Sequence, residues 1–245
     1  MAFSQIHTRS ISLPSRLHPI NSTQFEAQLD KLKSTVSLTS FDTIISGLVG
    51  LANLYNSIDT QAPSSLEETL ERSVELLDCC GCIKEVAQMT RESVRALQSA
   101  LRRKGSDNSS LRKDVASYVA SRKRMSKCVK KSLKALKRWE GASDVCGLTA
   151  AVFRSALLFF SSSSSSSSSW NRVARLVLSK SEAVIVNEVG CVDLALSSDE
   201  FDKKMVQRSL QKLESCVDGI EEGLERIFRE LVRSRVNLLN ILTNH

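Results

Sequence analysis

The sequence predicts an all-α protein, a bundle of long antiparallel helices with a flexible N-terminal tail and a serine-rich loop. Three observations lead to this fold class. Apolar residues recur at the three- and four-residue spacing of amphipathic helices through most of the 245 residues. All three prolines lie at or before Pro63, so no proline interrupts a helix in the rest of the chain. Aromatic residues make up only 5% of the chain, which disfavours a β-sandwich or barrel.

The first 22 residues differ in composition from the rest of the chain. They contain Arg9 and Arg16, many hydroxyl side chains, two prolines and no acid, which is typical of a flexible tail. The same composition overlaps with that of organelle transit peptides. We therefore expect a disordered tail over residues 1–22, a helical bundle domain over 23–245 and a cytoplasmic protein, with a plastid location as the alternative.

The first half of the predicted domain contains three helical segments. Gly47 and Gly50 indicate that the second of these helices approaches a neighbour closely. Ser64, Ser65, Glu67 and Glu68 form a capping-box pattern, and a helix of nearly forty residues, with a bend at Gly81 left open, is predicted after it. The apolar stripes are Phe25, Leu29, Leu32, Val36; then Ile44, Leu48, Leu51, Tyr55; then Leu66, Leu70, Val74, Leu77, Ile83, Ala87, Val94, Leu97, Leu101.

The second half of the domain is predicted to hold a helix up to Gly141, another from Val145 to Leu157, and a long last helix beginning near Ser198. A serine run at 161–169 is predicted to be a linker that interrupts the bundle. Residues 170–177 resemble a short helix, whereas 184–186 are also compatible with a strand. The last helix has the most regular stripe, and pairing with a second chain as a coiled coil is the alternative way to bury it. That stripe is Val206, Leu210, Leu213, Val217, Ile220, Leu224, Ile227, Leu231.

Residues suited to catalysis or metal binding are few. The histidines are His7, His18 and His245, all close to the termini, so no histidine inside the fold is available as a general base or zinc ligand. A glycine-rich phosphate loop is also absent from the sequence. Cys79, Cys80 and Cys82 contain a C-x-x-C spacing, but no second pair accompanies it, so we interpret the seven cysteines as free, mostly buried thiols. The sequence predicts no enzyme, no cofactor and no small-molecule substrate.

Positive charge is concentrated in the segment from Arg102 to Arg138. This segment contains fourteen basic residues and two acids, although the whole chain carries only +7. The candidate basic interaction face consists of Arg122, Lys123, Arg124, Lys127, Lys130, Lys131 and Lys134. Such a face would attract an acidic protein or an anionic membrane surface. A solvated face, or one docked on the acidic stretch 214–230 of the last helix, is the alternative, and nucleic acid is disfavoured because interleaved aromatics are lacking.

A short motif in the tail, from Arg9 to Pro14, resembles the phosphoserine motif that 14-3-3 proteins bind. Arg9 stands three residues before Ser12, as basophilic kinases require, and Pro14 follows two residues after it. Phosphate on Ser12 would add about −1.5 to −2 charges and three acceptors for an arginine cluster. Ser12 is therefore a candidate phosphorylation site and a 14-3-3 protein a candidate partner, with an unmodified tail as the alternative.

Seven segments together resemble a known family: 12–19, 77–80, 97–103, Arg122-Lys123, 221–225, Phe228-Arg229 and 235–242. This is a plant-specific family, the BYPASS-related group, which is described as a plant domain of unknown function. The resemblance covers nearly the whole chain and implies a helical protein without known enzymatic activity, linked to root and shoot development, with no catalytic residues to transfer. From it we expect a regulatory or adaptor protein; a peripheral membrane scaffold is the first alternative and a nucleic-acid-associated protein the second.

Overall fold

The computed structural model of the chain describes residues 40–57, 66–103, 108–139, 144–161, 187–197 and 202–243, and the single positions 30 and 142. Six α-helices account for nearly all of these ranges, which contain no strand, so the predicted all-α class is confirmed. A 3-10 turn at Lys137–Trp139 continues the third helix. The helices are α1 Phe41–Ser57, α2 Leu66–Arg103, α3 Asn108–Leu136, α4 Val145–Ser161, α5 Glu188–Ala195 and α6 Lys203–Thr243.

Four helices form a closed ring in which α1 packs on α6, α6 on α2, α2 on α4 and α4 on α1. Helix α3 lies outside this ring against α2 and α4, and α5 packs on α6. Contacts between side chains give the directions of the helices. Arg235 of α6 lies at Leu70 of α2 whereas Glu214 lies at Arg95, so α2 and α6 are antiparallel. Helices α1 and α6 instead run parallel, because Phe41 lies at Gly219 and Asn56 lies at Arg233.

The two longest helices match the predicted apolar patterns. Helix α2 is one helix of 38 residues that continues through Gly81, although Val74 of its predicted stripe is 39% exposed. All eight residues of the predicted α6 stripe are at most 1% exposed. Burial of a side chain of this size contributes roughly 1.5–3 kcal/mol. These two stripes, which face each other, therefore supply much of the stabilisation of the bundle.

The start of α6 differs from the predicted one. The helix begins at Lys203, a few residues after the predicted start near Ser198. Asp202 precedes it, and its side-chain Oδ1 accepts a hydrogen bond of 2.9 Å from the backbone N–H of Lys204. Its carbonyl accepts from Val206, as the first intrahelical bond of α6. Aspartate is among the best N-cap residues, so the start is set by this side chain.

Helix α1 packs closely against α4 and α6 at three glycines, one in α1 itself and two in α6. The predicted close approach at Gly47 is confirmed, because a Cβ atom there would lie 3.2 Å from Val152 Cγ1 in α4. On the other side, a Cβ at Gly223 of α6 would lie 2.8 Å from Leu48 Cδ1. One turn earlier, a Cβ at Gly219 would lie 3.1 Å from Phe41 Cζ. These contacts let the backbones of the three helices approach closely.

Some predicted segments lie outside the described residues. They are the tail 1–22, the four residues of the first stripe (Phe25, Leu29, Leu32 and Val36), the serine run beyond Ser161, the short helix over 170–177 and the ambiguous stretch 184–186.

Candidate functional site

Helix α3 has an apolar inner side and a basic outer side. Leu111, Tyr118, Met125, Val129 and Leu136 are buried at most 4% exposed, and they pack on α2 and α4. Their spacings of four and seven residues keep them on one side of the helix. Most of the basic residues between them therefore point away from the bundle.

Six of the seven residues predicted for the basic interaction face lie on this outer side and are exposed. They extend over about 16 Å of the helix, at 1.5 Å per residue. Lys137 of the 3-10 turn continues the row and is exposed as well. We call these six residues the basic face: Lys123, Arg124, Lys127, Lys130, Lys131 and Lys134.

Arg122 does not belong to this face, and its predicted role as an exposed interaction residue is wrong. Its side chain is only 3% exposed. Arg122 Nη1 donates a hydrogen bond of 3.0 Å to the backbone oxygen of Phe160 near the end of α4. The physical reason is its position four residues after Tyr118 and three before Met125, which places it on the inner side of α3.

Arg122 is part of a buried polar cluster that joins α3, α4 and α5. Arg122 Nη2 lies 3.3 Å from Asp193 Oδ2 of α5, and the Tyr118 hydroxyl donates to Asp193 Oδ1 at 3.4 Å. Burial raises the pKa of Asp193 above its ordinary value, although the Arg122 guanidinium opposes this effect. Asn187, the N-cap of α5, donates a hydrogen bond of 2.8 Å to the oxygen of Phe159. The cluster thus binds the C-terminal carbonyls of α4 and holds α5 in place.

The basic face is not docked on the acidic stretch of α6, so that alternative is wrong. Helix α3 packs on α2 and α4, while α2 packs on α6. In the part of the chain that the structure describes, no carboxylate forms an ion pair with any of the six residues of the basic face. The carboxylates of the acidic stretch instead pair with cations of α2 and of α6 itself: Glu214, Asp218, Glu221, Glu222, Glu225 and Glu230.

Basic residues of α2 form the ion pairs with α6. Arg95 Nε lies 2.6 Å from Glu214 Oε1, and this hydrogen bond is the main reason that the pKa of Glu214 is lowered. One turn further along α6, Arg91 contacts Asp218 at 3.7 Å and also pairs with Glu221. The α2–α6 contact is therefore neutralised internally, whereas the charge of α3 is left facing solvent.

The cysteine cluster of α2 consists mainly of buried thiols. Cys79 and Cys80 are buried, and Cys82 is exposed. Burial raises the pKa of Cys79 and of Cys80 to about 12, so both thiols stay protonated at neutral pH. All seven cysteines are free, and the described ranges contain no group of three or more His, Cys, Asp and Glu side chains that could hold a metal ion.

A groove between α2 and α3 lies beside the basic face. Its volume is about 360 Å³, and Ser117, Ser121 and Arg124 of α3 line it together with the acids Glu92 and Asp114. Carboxylates disfavour an anionic ligand in such a groove.

None of the described helices is long and apolar enough to cross a bilayer.

The tail motif of Arg9, Ser12 and Pro14 lies outside the described residues, so its geometry relative to the basic face is not assigned.

Comparison with known proteins agrees with the resemblance noted in the sequence. The family model described as Protein BPS1 matches residues 44–241, which include α2 to α5 completely and most of α1 and α6. No curated protein and no solved structure matches the chain. The match covers far more than half of the chain. The chain belongs to the BPS1 family, the BYPASS-related group of plant proteins, which is linked to the regulation of plant development.

Proposed function

We propose that this chain is a non-enzymatic regulatory adaptor of plant development that holds an anionic partner on the basic face of α3. The observation that carries the proposal is the uncompensated charge of that face. Six cations are exposed there, and no described carboxylate pairs with them.

The spacing of these cations supports a cooperative electrostatic contact. The Debye length is about 8 Å at physiological ionic strength, while adjacent turns of a helix are only about 5.4 Å apart. The fields of neighbouring lysines therefore overlap and strengthen the local potential. A surface of this kind attracts anionic partners and accelerates their association.

An adaptor role agrees with how the bundle uses its polar groups. The buried guanidinium of Arg122 binds backbone carbonyl and carboxylate groups of neighbouring helices rather than an open cavity. The buried hydroxyl of Thr90 donates to the backbone oxygen of Val86, one turn earlier in the same helix. These groups have structural partners, so surface charge is the feature best suited to recognition.

The tail provides a second binding element in this proposal. A peptide spanning Arg9 to Pro14 and phosphorylated on Ser12 is expected to bind a 14-3-3 protein, because the added phosphate can pair with an arginine cluster. Fluorescence anisotropy of a labelled peptide measures this binding. The unphosphorylated peptide and a Ser12→Ala peptide are the controls, and equal affinity for all three peptides would exclude the role of the tail.

Charge reversal of the basic face tests the proposed function. A variant with Lys123→Glu, Lys127→Glu, Lys130→Glu and Lys134→Glu is expected to lose the proteins or membranes that the wild-type chain captures from a plant extract through this face, while a 14-3-3 protein bound to the tail is retained. The matched control reverses four exposed basic residues outside the face: Arg102, Arg103, Lys204 and Arg208. Each set replaces four cations with four anions, so the two variants have the same net charge.

The control separates a specific face from a general effect of charge. Quantitative mass spectrometry of the captured material should show partners that the control variant retains and the face variant loses. Far-ultraviolet circular dichroism and thermal unfolding of both variants establish that the fold is intact. Identical capture profiles for the two variants would contradict the proposal.

A further inference from the structure

We infer that the anionic partner of the basic face is a membrane surface that contains acidic phospholipids. This inference rests on the proposed function and assigns a partner class to the same face.

The shape of the face suits a flat partner. Lys123, Lys127, Lys130 and Lys134 follow one another at spacings of four, three and four residues, so they form one row along the outside of α3. The helix packs on the bundle only through its inner side, and all four lysines are exposed. A planar surface can therefore approach all four ammonium groups at once, whereas a small ligand would reach only one or two.

The residue types of the face favour a membrane over a folded protein. Protein interfaces centre on aromatic and arginine anchors, and their cores are depleted in lysine. Five of the six residues of the basic face are lysines, and Ala120 and Ala135 are exposed close to them. The aromatic residue of α3, Tyr118, is 2% exposed and so cannot serve as an anchor. Lysine acts as a mobile, hydrated point charge, which matches a fluid layer of headgroups.

The contact is expected to stay at the headgroup level. Among the described side chains of α3, one large hydrophobic residue is exposed: Val119, with 39% of its surface accessible. Insertion of an interfacial helix requires a broad apolar face, which the outer side of α3 lacks. Binding should therefore be reversible and sensitive to salt. The groove beside the face is lined by Glu92 and Asp114, so it does not favour capture of one specific headgroup.

Nucleic acid fits the face less well than a membrane. Sequence readout in a duplex combines arginine or lysine with asparagine and glutamine at the base edges, and single strands stack on aromatic side chains. The exposed row consists of lysines. Duplex DNA would therefore meet only nonspecific phosphate contacts, and it serves as a competitor in the test.

The test measures co-sedimentation of the full 245-residue chain with vesicles. Vesicles of phosphatidylcholine alone are compared with vesicles that also contain phosphatidylserine, at ~0.15 M salt and at higher ionic strength. We expect binding only to the phosphatidylserine vesicles, with a marked loss at high salt. The variant with Lys123, Lys127, Lys130 and Lys134 changed to glutamate should bind weaker by roughly two to three orders of magnitude. The variant reversed at Arg102, Arg103, Lys204 and Arg208 should retain most of the binding.

Four results would overturn the inference. They are equal binding to both kinds of vesicle, binding that is insensitive to salt, equal loss in the two reversed variants, and a preference for duplex DNA over phosphatidylserine vesicles at the same salt. Capture from a membrane-free extract separates this inference from the proposed function. If vesicles do not bind but the face variant still loses a soluble acidic partner, the membrane inference is wrong and the adaptor proposal stands. If both assays show no effect of the face, both are wrong.

Discussion

Replacing Asp193 with asparagine is expected to destabilise the bundle by about 3 kcal/mol or more, because it leaves the guanidinium of Arg122 buried without its counter-charge. Arg122 is 3% exposed and cannot lose its proton, so it has no way to escape this cost. Urea unfolding followed by circular dichroism measures the change in the free energy of unfolding. The control is a neutral variant at Asp78, an exposed residue of α2. Asp202 is also exposed, but it is unsuitable because it caps α6.

Replacing the other partner, in the variant Arg122→Met, is expected to lower the free energy of unfolding less in mild acid than at neutral pH. Burial already raises the pKa of Asp193, and removing the guanidinium that opposes this effect raises it further. A carboxyl with a raised folded-state pKa binds its proton more tightly in the folded state than in the unfolded one. The stability of Arg122→Met should therefore rise as the pH is lowered from neutrality toward about pH 5, and fall as the pH rises through the folded-state pKa.

The double variant Arg122→Met with Asp193→Asn completes the cycle. It removes both charges, so neither is left buried without its partner, and it should be more stable than the sum of the two single losses predicts. Additive single effects, or an Arg122→Met variant whose stability does not change with pH, would mean that the two charges do not act as a pair.

Replacing Gly223 with leucine is expected to destabilise the protein by about 3 kcal/mol, the upper part of the range for overpacked cores. A Cβ atom at this position would lie 2.8 Å from Leu48 Cδ1 and 3.0 Å from Leu48 Cβ, so α1 must move away from α6. Thermal and urea unfolding measure the effect.

Gly81 provides the matched control for this substitution. It also lies inside a long helix, but a Cβ there would meet no atom within 4 Å. Gly81→Leu should therefore increase stability by up to ~1 kcal/mol, since leucine has the higher helix propensity. Loss of stability at Gly81 as large as that at Gly223 would refute the close approach of α1 and α6 as the cause.

The regular parts of the fold could be predicted because the helical period alone determines them. The stripe of α6 has no interruption, and every one of its eight predicted residues is buried. Val74 of α2 fits the same period but is exposed, because a period identifies a side of the helix and not the width of the contact. The close approach of α6 to α1 was not predicted. The four-residue spacing of Gly219 and Gly223 was the signal for it in the sequence, whereas composition and apolar stripes do not indicate it.

The candidate site was predicted in outline, with one wrong residue. Arg122 stands in a run of basic residues, and charge alone does not distinguish it from Lys123. Its partner Asp193 lies 71 residues away in the sequence, so the pairing depends on the tertiary fold. Its spacing from Tyr118 and Met125 was the local signal for an inward position. Docking of α3 on the acidic stretch of α6 was wrong for a related reason, because a charge count does not reveal that Arg91 and Arg95 of α2 already occupy that stretch.

The central claim is that the outward row of lysines on α3, and not the total charge of the chain, selects the partner. The comparison of the two charge-reversed variants measures this most directly, since they share one net charge and differ only in where it is placed. The account predicts that the chain reversed at Lys123, Lys127, Lys130 and Lys134 unfolds at the temperature of the wild type and yet captures none of the partners of the basic face, while the chain reversed elsewhere captures them all. A correctly folded α3 variant that keeps all of the wild-type partners, and not only those that bind the tail, would contradict it.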